Sequence, residues 1–381
     1  MSKGLNALRQ VYSKQCKIIP QMTDLSEQIN AIEKEIRETP YHKATEHHIG
    51  NLRARLARLK EGLERPLKSG GAGGYATKKQ GDATLVLVGP PSVGKSSLIN
   101  KLTNAQSKVA TYSFTTVSVV PGMLEYKNAK IQILDVPGLI EGAEEGKGRG
   151  REVLAVIRGC DLVIIVSDVV RTNAFDRIEK ALYDNGIRLN EIRPDVSINK
   201  KASGGITLHS NVKQNLDKKT IAEIARELGI KNAEITIKEK ITLERLIDSF
   251  STNRVYISAL YVVNKVDEIG QTGHETLLDS NHDLLLISAK TGYGIENLKE
   301  EIWKALKLIT VYLIREDEKP NFENPLVVKK NMNLKDIALE IGEGFTSEKT
   351  SAKIWGGGAV FSGQEVPLSK AAQDGMQIRF V

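Results

Sequence analysis

A glycine-containing loop between a short apolar run and a helical run constrains this chain more than any other feature. The run Ala83–Val88 is apolar and β-prone, the loop Gly89–Ser96 reads GPPSVGKS, and the helix-like SSLINKLTNA continues from it. The loop fits the pattern G-x-x-x-x-G-K-[ST] in the strand-to-helix context that this pattern requires. Successive backbone N–H groups in such a loop form an anion nest, and the helix N-terminus adds partial positive charge. The sequence therefore predicts a phosphate-binding loop.

The chemistry of such loops assigns roles to individual side chains. Lys95 is expected to bridge the β and γ phosphates of a nucleoside triphosphate, and the hydroxyl of Ser96 is expected to bind Mg²⁺. The residues predicted to contact the phosphates are Gly89, Pro90, Pro91, Ser92, Val93, Gly94, Lys95, Ser96 and Ser97.

A second motif predicts which base is bound. The segment NKVD follows an apolar run ending in YVV, at the carboxyl end of a strand, where open α/β sheets bind ligands. The carboxylate of Asp267 can accept hydrogen bonds from N1–H and the exocyclic amine of guanine, each worth roughly 1.5–3 kcal/mol. Further along, the segment SAK follows LLLI and offers a backbone N–H to guanine O6, so GTP is favoured over ATP. The predicted base-binding residues are Asn264, Lys265, Asp267, Ser288, Ala289 and Lys290.

Two intermediate segments are predicted to hold the metal and to switch. Asp135 opens DVPG after the run IQIL and is expected to hold Mg²⁺ through water, while the N–H of Gly138 can reach the γ-phosphate. Upstream, YSFTT is a candidate first switch, in which Thr116 is favoured to close on the metal and Thr115 is the alternative. Loss of the γ-phosphate would release both segments. The predicted catalytic residues are Lys95, Thr116 and Gly138, and the predicted metal ligands are Ser96, Thr116 and Asp135.

The order of the elements favours an α/β fold with a mainly parallel sheet and helices on both faces. Strand-like runs recur after the first one, with helical patterns such as Gly294–Leu308 between them. These runs are Ile131–Leu134, Leu162–Val166, Val255–Val263 and Leu284–Ile287.

Pattern and composition divide the chain into segments. Pro40 interrupts two amphipathic runs near the N-terminus, and the stretch SGGAGG that begins at Ser69 is flexible in composition. The predicted segments are an N-terminal helical hairpin over 1–69, a linker over 70–80, the first part of the nucleotide-binding domain over 81–170, an inserted α+β domain over 171–250, the second part of the nucleotide-binding domain over 251–312 and a small α+β domain over 313–381.

The distribution of charge leaves two interpretations open at each end of the chain. The net charge of +7 and the pI near 9.1 are compatible with a polyanionic partner. The basic hairpin is either a two-helix module packed on its neighbour or an arm that grips a partner. In the tail, Trp355 with nearby cations forms either an RNA-facing surface or the centre of a small core. The cations concerned are Arg53, Arg55, Arg58, Lys60, Arg65 and Lys68 in the hairpin, and Lys349, Lys353, Lys370 and Arg379 in the tail.

The compartment is predicted to be the cytoplasm. No apolar run approaches the roughly 20 residues needed to cross a bilayer, and the N-terminus lacks the apolar core of a signal peptide. Cys16 and Cys160 are far apart in sequence, which argues against a disulfide framework or a zinc site.

With these residues in place, the chain resembles the developmentally regulated GTP-binding protein family, relatives of the Obg GTPases, over nearly its whole length. The matching segments are GPPSVGKSSL, YSFTTVSVVPGML, LDVPGLIEGAEEGKGRGREVL, NRVYISALYVVNKVD, KATEHHIGNLRARLARLK and AKIWGGG. The resemblance implies a helical N-terminal region, a P-loop G domain interrupted by a small inserted domain, and a C-terminal TGS domain of β-grasp shape. It also implies association with ribosomes or translation factors.

Two positions depart from familiar GTPase patterns. Leu139 follows DVPG, where many small GTPases carry a water-orienting glutamine, so unassisted hydrolysis is expected on the order of 10⁻³ s⁻¹ or somewhat faster. The resemblance suggests stimulation by K⁺, yet Ser92 stands where K⁺-stimulated relatives often place asparagine.

The sequence as a whole predicts a monomeric cytoplasmic GTPase that cycles between GTP and GDP and governs docking to ribosomes or rRNA. Mg²⁺ is the expected cofactor, K⁺ is a second candidate, a regulatory protein is a candidate partner, and no membrane partner is expected. One alternative is a nucleotide-gated RNA- or ribosome-binding module with negligible turnover. Another is an RNA-binding or chaperone-like protein whose basic hairpin does the main work.

Overall fold

The structure is a computed structural model that describes residues 25, 27–64, 81–103, 120–136, 149–269, 283–315, 317–342 and 349–381. The chain forms two compact units. The first unit combines the N-terminal segment with Asn185–Tyr256, and the second contains Gly73–Asp184 and Ile257–Val381.

Strands and helices alternate through most of the described chain. The strands are β1 (Ala83–Val88), β2 (Val120–Tyr126), β3 (Ala129–Asp135), β4 (Leu162–Asp168), β5 (Ile187–Leu189), β6 (Val196–Lys200), β7 (Ile206–Ser210), β8 (Ala233–Ile237), β9 (Val255–Asn264), β10 (Leu284–Leu286), β11 (Leu308–Leu313), β12 (Pro325–Lys329), β13 (Ser351–Gly356), β14 (Gln364–Pro367) and β15 (Met376–Phe380). The helices are α1 (27–38), α2 (Glu46–Glu64), α3 (Lys95–Leu102), α4 (Arg149–Arg158), α5 (Ala174–Asp184), α6 (Lys218–Glu227), α7 (Leu243–Phe250), α8 (Ile295–Leu306) and α9 (Leu334–Ile341).

Five neighbouring strands of the main sheet in the second unit, β10, β9, β4, β1 and β3, pair in parallel. Its strands lie in the order β10-β9-β4-β1-β3-β2, and β2 pairs antiparallel with β3. Every residue of β1 and β4 is buried, as expected for central parallel strands that are covered on both faces. One core cluster joins Leu85 of β1 and Ile164 of β4 to Leu98 of α3 and Leu298 of α8. The predicted mainly parallel α/β fold is confirmed.

A second, five-stranded sheet follows in the order β12-β11-β15-β13-β14. Its core contains Ile337 of α9 together with Val311, Ile354 and Ile378. The strand β11 pairs with β12 and β15, so the predicted boundary after residue 312 cuts through a strand of this sheet. The chain leaves α8 through Lys307, whose left-handed φ of 53° redirects it into β11 at once.

Trp355 lies outside the core of the five-stranded sheet. Alternate residues of a strand face opposite sides of a sheet, and the core takes Ala352 and Ile354 of β13 rather than Trp355. The guanidinium carbon of Arg379 lies 5.3 Å from the centroid of the Trp355 ring. The expectation of a small core centred on Trp355 is therefore wrong.

The first unit packs the N-terminal region together with the inserted segment. Its three-stranded sheet has the order β6-β8-β7. Ile49 and Ala54 of α2 share a core cluster with Ile224 of α6, Ile235 of β8 and Leu246 of α7. This packing favours the interpretation of α2 as part of a packed module over that of a free arm.

The inserted segment begins later than predicted, because α5 belongs to the second unit. The insertion was expected to start at residue 171 and end at 250, whereas the first unit takes Asn185–Tyr256. Phe175 of α5 is 2% exposed and meets the ring of Tyr261 edge to face, with ring centroids 5.7 Å apart. This apolar contact holds α5 on β9.

No helix in the described part of the chain is long and apolar enough to cross a bilayer.

A buried ionic cluster crosslinks the first unit. The carboxylate of Asp248 on α7 accepts hydrogen bonds from Arg188 at 2.6 and 2.8 Å and from Arg254 at 2.7 Å. Asp248 and Arg188 are only 6% and 4% exposed. One carboxylate therefore ties the entry and the exit of the inserted segment to the same helix.

Replacing Asp248 by alanine should destabilise the protein by about 3–5 kcal/mol, because it leaves buried guanidinium groups without a counter-charge. Urea unfolding followed by circular dichroism measures this change. Asp195→Ala is the matched control, since the Asp195 side chain is 62% exposed and lies 3.7 Å from Lys238. The control should change stability by less than about 0.5 kcal/mol. Equal effects of the two variants would refute a structural role for the buried cluster.

Candidate functional site

The predicted site residues gather at the edge of the main sheet where the parallel strands end. The loop after β1 begins at Gly89, β3 ends at Asp135, β4 at Asp168 and β9 at Asn264. In open α/β sheets this edge forms the ligand-binding crevice.

Two glycines let the loop after β1 approach its neighbours closely. A Cβ atom on Gly89 would lie 2.1 Å from the carbonyl oxygen of Val166, and one on Gly94 would lie 2.4 Å from Nδ2 of Asn264. Gly94 also has a φ of 91°, which side chains other than glycine rarely adopt. Glycine is therefore required at both positions by space, and at Gly94 also by backbone conformation.

The loop presents a row of free backbone donors. Within the described residues, the N–H groups of Ser92, Val93 and Gly94 have no hydrogen-bond acceptor. The helix α3 begins immediately afterwards, at Lys95, and its N-terminus adds partial positive charge. This arrangement matches the predicted anion nest.

Lys95 spans the loop. Its ammonium group donates hydrogen bonds to the carbonyl oxygens of Gly89 at 2.8 Å and of Pro90 at 2.9 Å. Burial lowers the pKa of Lys95, the charge of Arg171 lowers it further, and Asp135 opposes both effects. A partly desolvated cation thus faces the nest, where it can neutralise phosphate charge.

Ser96 and Asp135 form an oxygen pair that suits Mg²⁺. The hydroxyl of Ser96 lies 3.1 Å from Oδ2 of Asp135, and the other carboxylate oxygen is buried without a hydrogen-bond partner in the described part of the chain. Burial raises the pKa of Asp135, while Lys95 and the hydroxyl of Ser96 lower it. An orphaned buried carboxylate oxygen beside a hydroxyl is a hard donor set, as Mg²⁺ requires.

Apart from Thr116, which is a predicted ligand outside the described residues, the remaining ligands of such an ion would come from water and a bound nucleotide. Among the residues that the structure describes, no group of three or more acidic, histidine or cysteine side chains could hold a metal. Mg²⁺ in proteins usually keeps several waters and binds through one or two carboxylates plus substrate phosphates. The pair therefore fits a metal that arrives with a nucleotide.

Asn264 joins the phosphate loop to the segment Ser288–Lys290. Its amide donates to the carbonyl of Val93 at 2.8 Å and its Oδ1 accepts from the N–H of Ala289 at 2.9 Å. The side chain is buried, at 2% exposure. Asn264, predicted to contact the base, is thus engaged in holding two loops together.

Asp267 is the predicted hydrogen-bond acceptor for the base. Its Oδ1 accepts a hydrogen bond of 2.6 Å from the hydroxyl of Ser288, which lowers the pKa of Asp267 although partial burial opposes this. The buried Ser288 is itself fixed by the N–H of Thr291 at 3.1 Å. The carboxylate is exposed and stays ionised, ready to accept from two adjacent donors of a purine.

One pair of residues at this edge was not predicted from the sequence. Asp168 ends β4 in register with Asn264, and its carboxylate binds Arg171 at 2.6 Å. Arg171 also donates to the carbonyl of Pro91 in the phosphate loop at 3.0 Å. A polar residue at the end of the apolar run LVIIVSD was the available signal, but no motif drew attention to it.

The other predicted residues divide into two groups. Ser97 and Lys290 are exposed, on the first turn of α3 and just after Ala289, and Lys265 adopts a left-handed φ of 66°. Thr115, Thr116, Gly138 and Leu139 lie outside the described residues.

Known proteins are similar to this chain over most of its length. Residues 84–200 match the sequence profile of a family described as "50S ribosome-binding GTPase", and residues 203–308 match one described as "C-terminal region of MMR_HSR1 domain". An uncharacterized GTP-binding protein of Methanocaldococcus jannaschii is 44% identical over 94% of this chain and 93% of its own length. Developmentally-regulated GTP-binding protein 1 of Xenopus laevis is 40% identical over 93% of this chain and 98% of its own. Developmentally-regulated GTP-binding protein 2 of Homo sapiens is 37% identical over 90% and 95%, respectively.

Changing Asp267 to asparagine should weaken GDP binding by about 100-fold or more, because two charge-assisted hydrogen bonds to guanine, each worth roughly 1.5–3 kcal/mol, are lost. Xanthosine diphosphate should gain relative affinity, since an amide N–H can donate to the carbonyl that replaces the exocyclic amine. Equilibrium titration with fluorescent nucleotides measures both constants. Asp283→Asn is the control. Asp283 is exposed just before β10, at the end of that strand that lies away from the segment Ser288–Lys290. An unchanged ratio of the two nucleotides in Asp267→Asn would contradict the assignment.

Proposed function

The chain belongs to the developmentally regulated GTP-binding protein family, and from this premise we propose that it hydrolyses GTP slowly as a nucleotide-dependent switch on ribosomes. GTP binding and a GTPase domain follow from the family itself. The slow rate, the ribosomal target and the residue roles are the proposal.

The observation that carries the proposal is the oxygen pair of Ser96 and Asp135 beside the N–H nest. A buried carboxylate oxygen without a partner suits a divalent cation, and the nest suits the phosphates that such a cation bridges. Mg²⁺ bound there would neutralise charge that develops on the phosphates.

The chain's own groups supply the remaining chemistry. Lys95 places a cation over the nest, and we assign Thr116 to the metal and the N–H of Gly138 to the γ-phosphate. Leu139 has no group that could orient the attacking water. Water orientation must therefore come from a partner or from a monovalent cation such as K⁺, which makes the unassisted reaction slow.

The proposed target is the ribosome or its RNA. Support comes from the family profile over residues 84–200, whose description names binding to the 50S ribosome, and from the net charge of +7. We further propose that the protein acts as a cytoplasmic monomer with a regulatory protein partner. One helix, α9, with a five-stranded sheet is the set of elements expected of the proposed β-grasp TGS domain.

The alternative in which the basic hairpin does the main work is less favoured. Three of the four arginine and lysine side chains of α2 are paired with carboxylates of the same unit, so part of this helix's charge is already neutralised. The pairs are Arg53 with Glu244, Arg58 with Glu227 and Lys60 with Glu33. Because α2 also supplies core residues such as Ile49, deleting the hairpin would unfold the unit rather than test its RNA affinity.

Single-turnover hydrolysis tests the enzymatic part of the proposal. Without K⁺ or ribosomes the rate should be on the order of 10⁻³ s⁻¹, and addition of ribosomes or KCl should raise it. Lys95→Ala should abolish hydrolysis and serves as the blank. A rate that stays flat under all conditions would favour a binding module with negligible turnover.

Sedimentation with ribosomes tests the switch. The fraction bound should differ between the GDP form and the form with a non-hydrolysable GTP analogue, at several salt concentrations. Binding that falls steeply with salt but ignores the nucleotide would reduce the interaction to electrostatic adhesion.

A further inference from the structure

A rigid turn follows β4 at the edge of the nucleotide site. The hydroxyl of Ser167 donates to the carbonyl of Arg171 at 2.7 Å, and the N–H of Arg171 donates to Oδ1 of Asp168 at 3.1 Å. Ser167 is fully buried. The main chain of Arg171 is therefore held in place before any ligand binds.

Each nitrogen of the Arg171 guanidinium group has a protein acceptor. Its Nε and Nη2 bind the carboxylate of Asp168 at 3.2 and 2.6 Å, and its Nη1 donates to the carbonyl of Pro91 at 3.0 Å. Burial raises the pKa of Asp168, but the hydrogen bonds and charge of Arg171 overcome this and lower it. Arg171 is thereby oriented on Pro91 rather than on the space over the nest.

The contact with Pro91 determines where a backbone donor points. The carbonyl of Pro91 and the N–H of Ser92 belong to one peptide unit, and no peptide bond among the described residues is cis. In a trans peptide the C=O and the N–H point in opposite directions. Because Pro90 and Pro91 have no N–H, Ser92 carries the first donor of the nest.

The conformation of Ser92 makes this support necessary. Its φ of 64° lies in the left-handed region, which is uncommon for a serine. Other orientations of the Pro91–Ser92 peptide are therefore open to the loop. A hydrogen bond that holds the carbonyl on one side selects the orientation with the N–H on the other.

Asp168 also touches the base-recognition side of the site. The ammonium group of Lys265 lies 3.6 Å from Oδ2 of Asp168, the same oxygen that binds Nη2 of Arg171. One carboxylate thus connects the phosphate loop, through Arg171, with the NKVD segment.

We propose that Arg171 is a positioning residue for nucleotide binding, which acts through Pro91 to aim the N–H of Ser92, and that Asp168 holds it there. This inference rests on the proposed guanine-nucleotide site. The aimed N–H serves phosphates common to GDP and GTP. Loss of Arg171 therefore weakens both nucleotides equally and leaves the saturated rate of hydrolysis unchanged.

Arg171→Gln tests the proposal by separating affinity from rate. The dissociation constants of GDP and of a non-hydrolysable GTP analogue should both rise about tenfold, as expected for the loss of a hydrogen bond from a charged donor. The single-turnover rate at saturating GTP should stay within about twofold of wild type. Arg177→Gln is the matched control, because Arg177 is an exposed arginine on α5 and its loss removes the same charge. The control should leave both quantities unchanged.

Arg171→Lys distinguishes the contact from the charge. Lysine keeps the positive charge but lacks the planar guanidinium group that lets arginine bridge Asp168 and Pro91. The nucleotide affinity of Arg171→Lys should therefore be as low as that of Arg171→Gln. Full affinity in Arg171→Lys would mean that the charge alone matters and would overturn the proposal. Thermal unfolding of each variant identifies any that fail to fold.

Asp168→Asn tests whether Arg171 acts through the carboxylate. The double variant Asp168→Asn with Arg171→Gln should bind GDP no more weakly than Asp168→Asn alone, because the two residues act as one unit. Additive losses, an unchanged affinity in Arg171→Gln, or a reduced saturated rate without a change in affinity would each refute the inference. If wild-type protein failed to prefer guanine nucleotides, the proposed function itself would fail, and that result is separate from all of these.

Discussion

The nucleotide site depends on two hydrogen bonds made by the buried side chain of Asn264. One amide group satisfies a carbonyl of the phosphate loop, in a bond that is buried, and an N–H of the segment that begins at Ser288, in a bond that is partly buried. Leaving such buried groups unpaired would cost about 1–3 kcal/mol each. The missing side chain of Gly94 is what lets the asparagine reach the loop. The side chain of Asn264 therefore fixes the phosphate loop relative to the segment that is predicted to bind the base.

The carboxylates of Asp135, Asp267 and Asp168 lie in different environments, and each environment suits the role proposed for that residue. Burial raises the pKa of Asp135, although Lys95 and the hydroxyl of Ser96 oppose this, so a bound cation would offset part of the desolvation of this carboxylate. The hydroxyl of Ser288 lowers the pKa of Asp267, so that carboxylate is charged without help from a metal. Asp168 binds Arg171, which in turn donates a hydrogen bond to the carbonyl of Pro91 in the phosphate loop.

Charge in the first unit is used mainly for internal pairing. The helix α2 is rich in arginine and lysine, yet Arg53, Arg58 and Lys60 lie close to carboxylates on α7, α6 and α1, and its apolar face enters the core. These ion pairs offset part of the basic charge on this helix. The Arg379 guanidinium over Trp355 is a comparable case, in which a cation and a ring predicted to face RNA contact each other.

The sequence by itself determined the parallel sheet, the phosphate loop and the base motif, because each depends on local spacing: an apolar strand, then glycines and polar residues within a few positions. Only the tertiary structure decided that α5 belongs with β9, that β11 joins the second sheet, and that Arg171 holds Pro91. These features depend on contacts between residues far apart in the chain. Such contacts produce no local or periodic pattern in the amino-acid sequence.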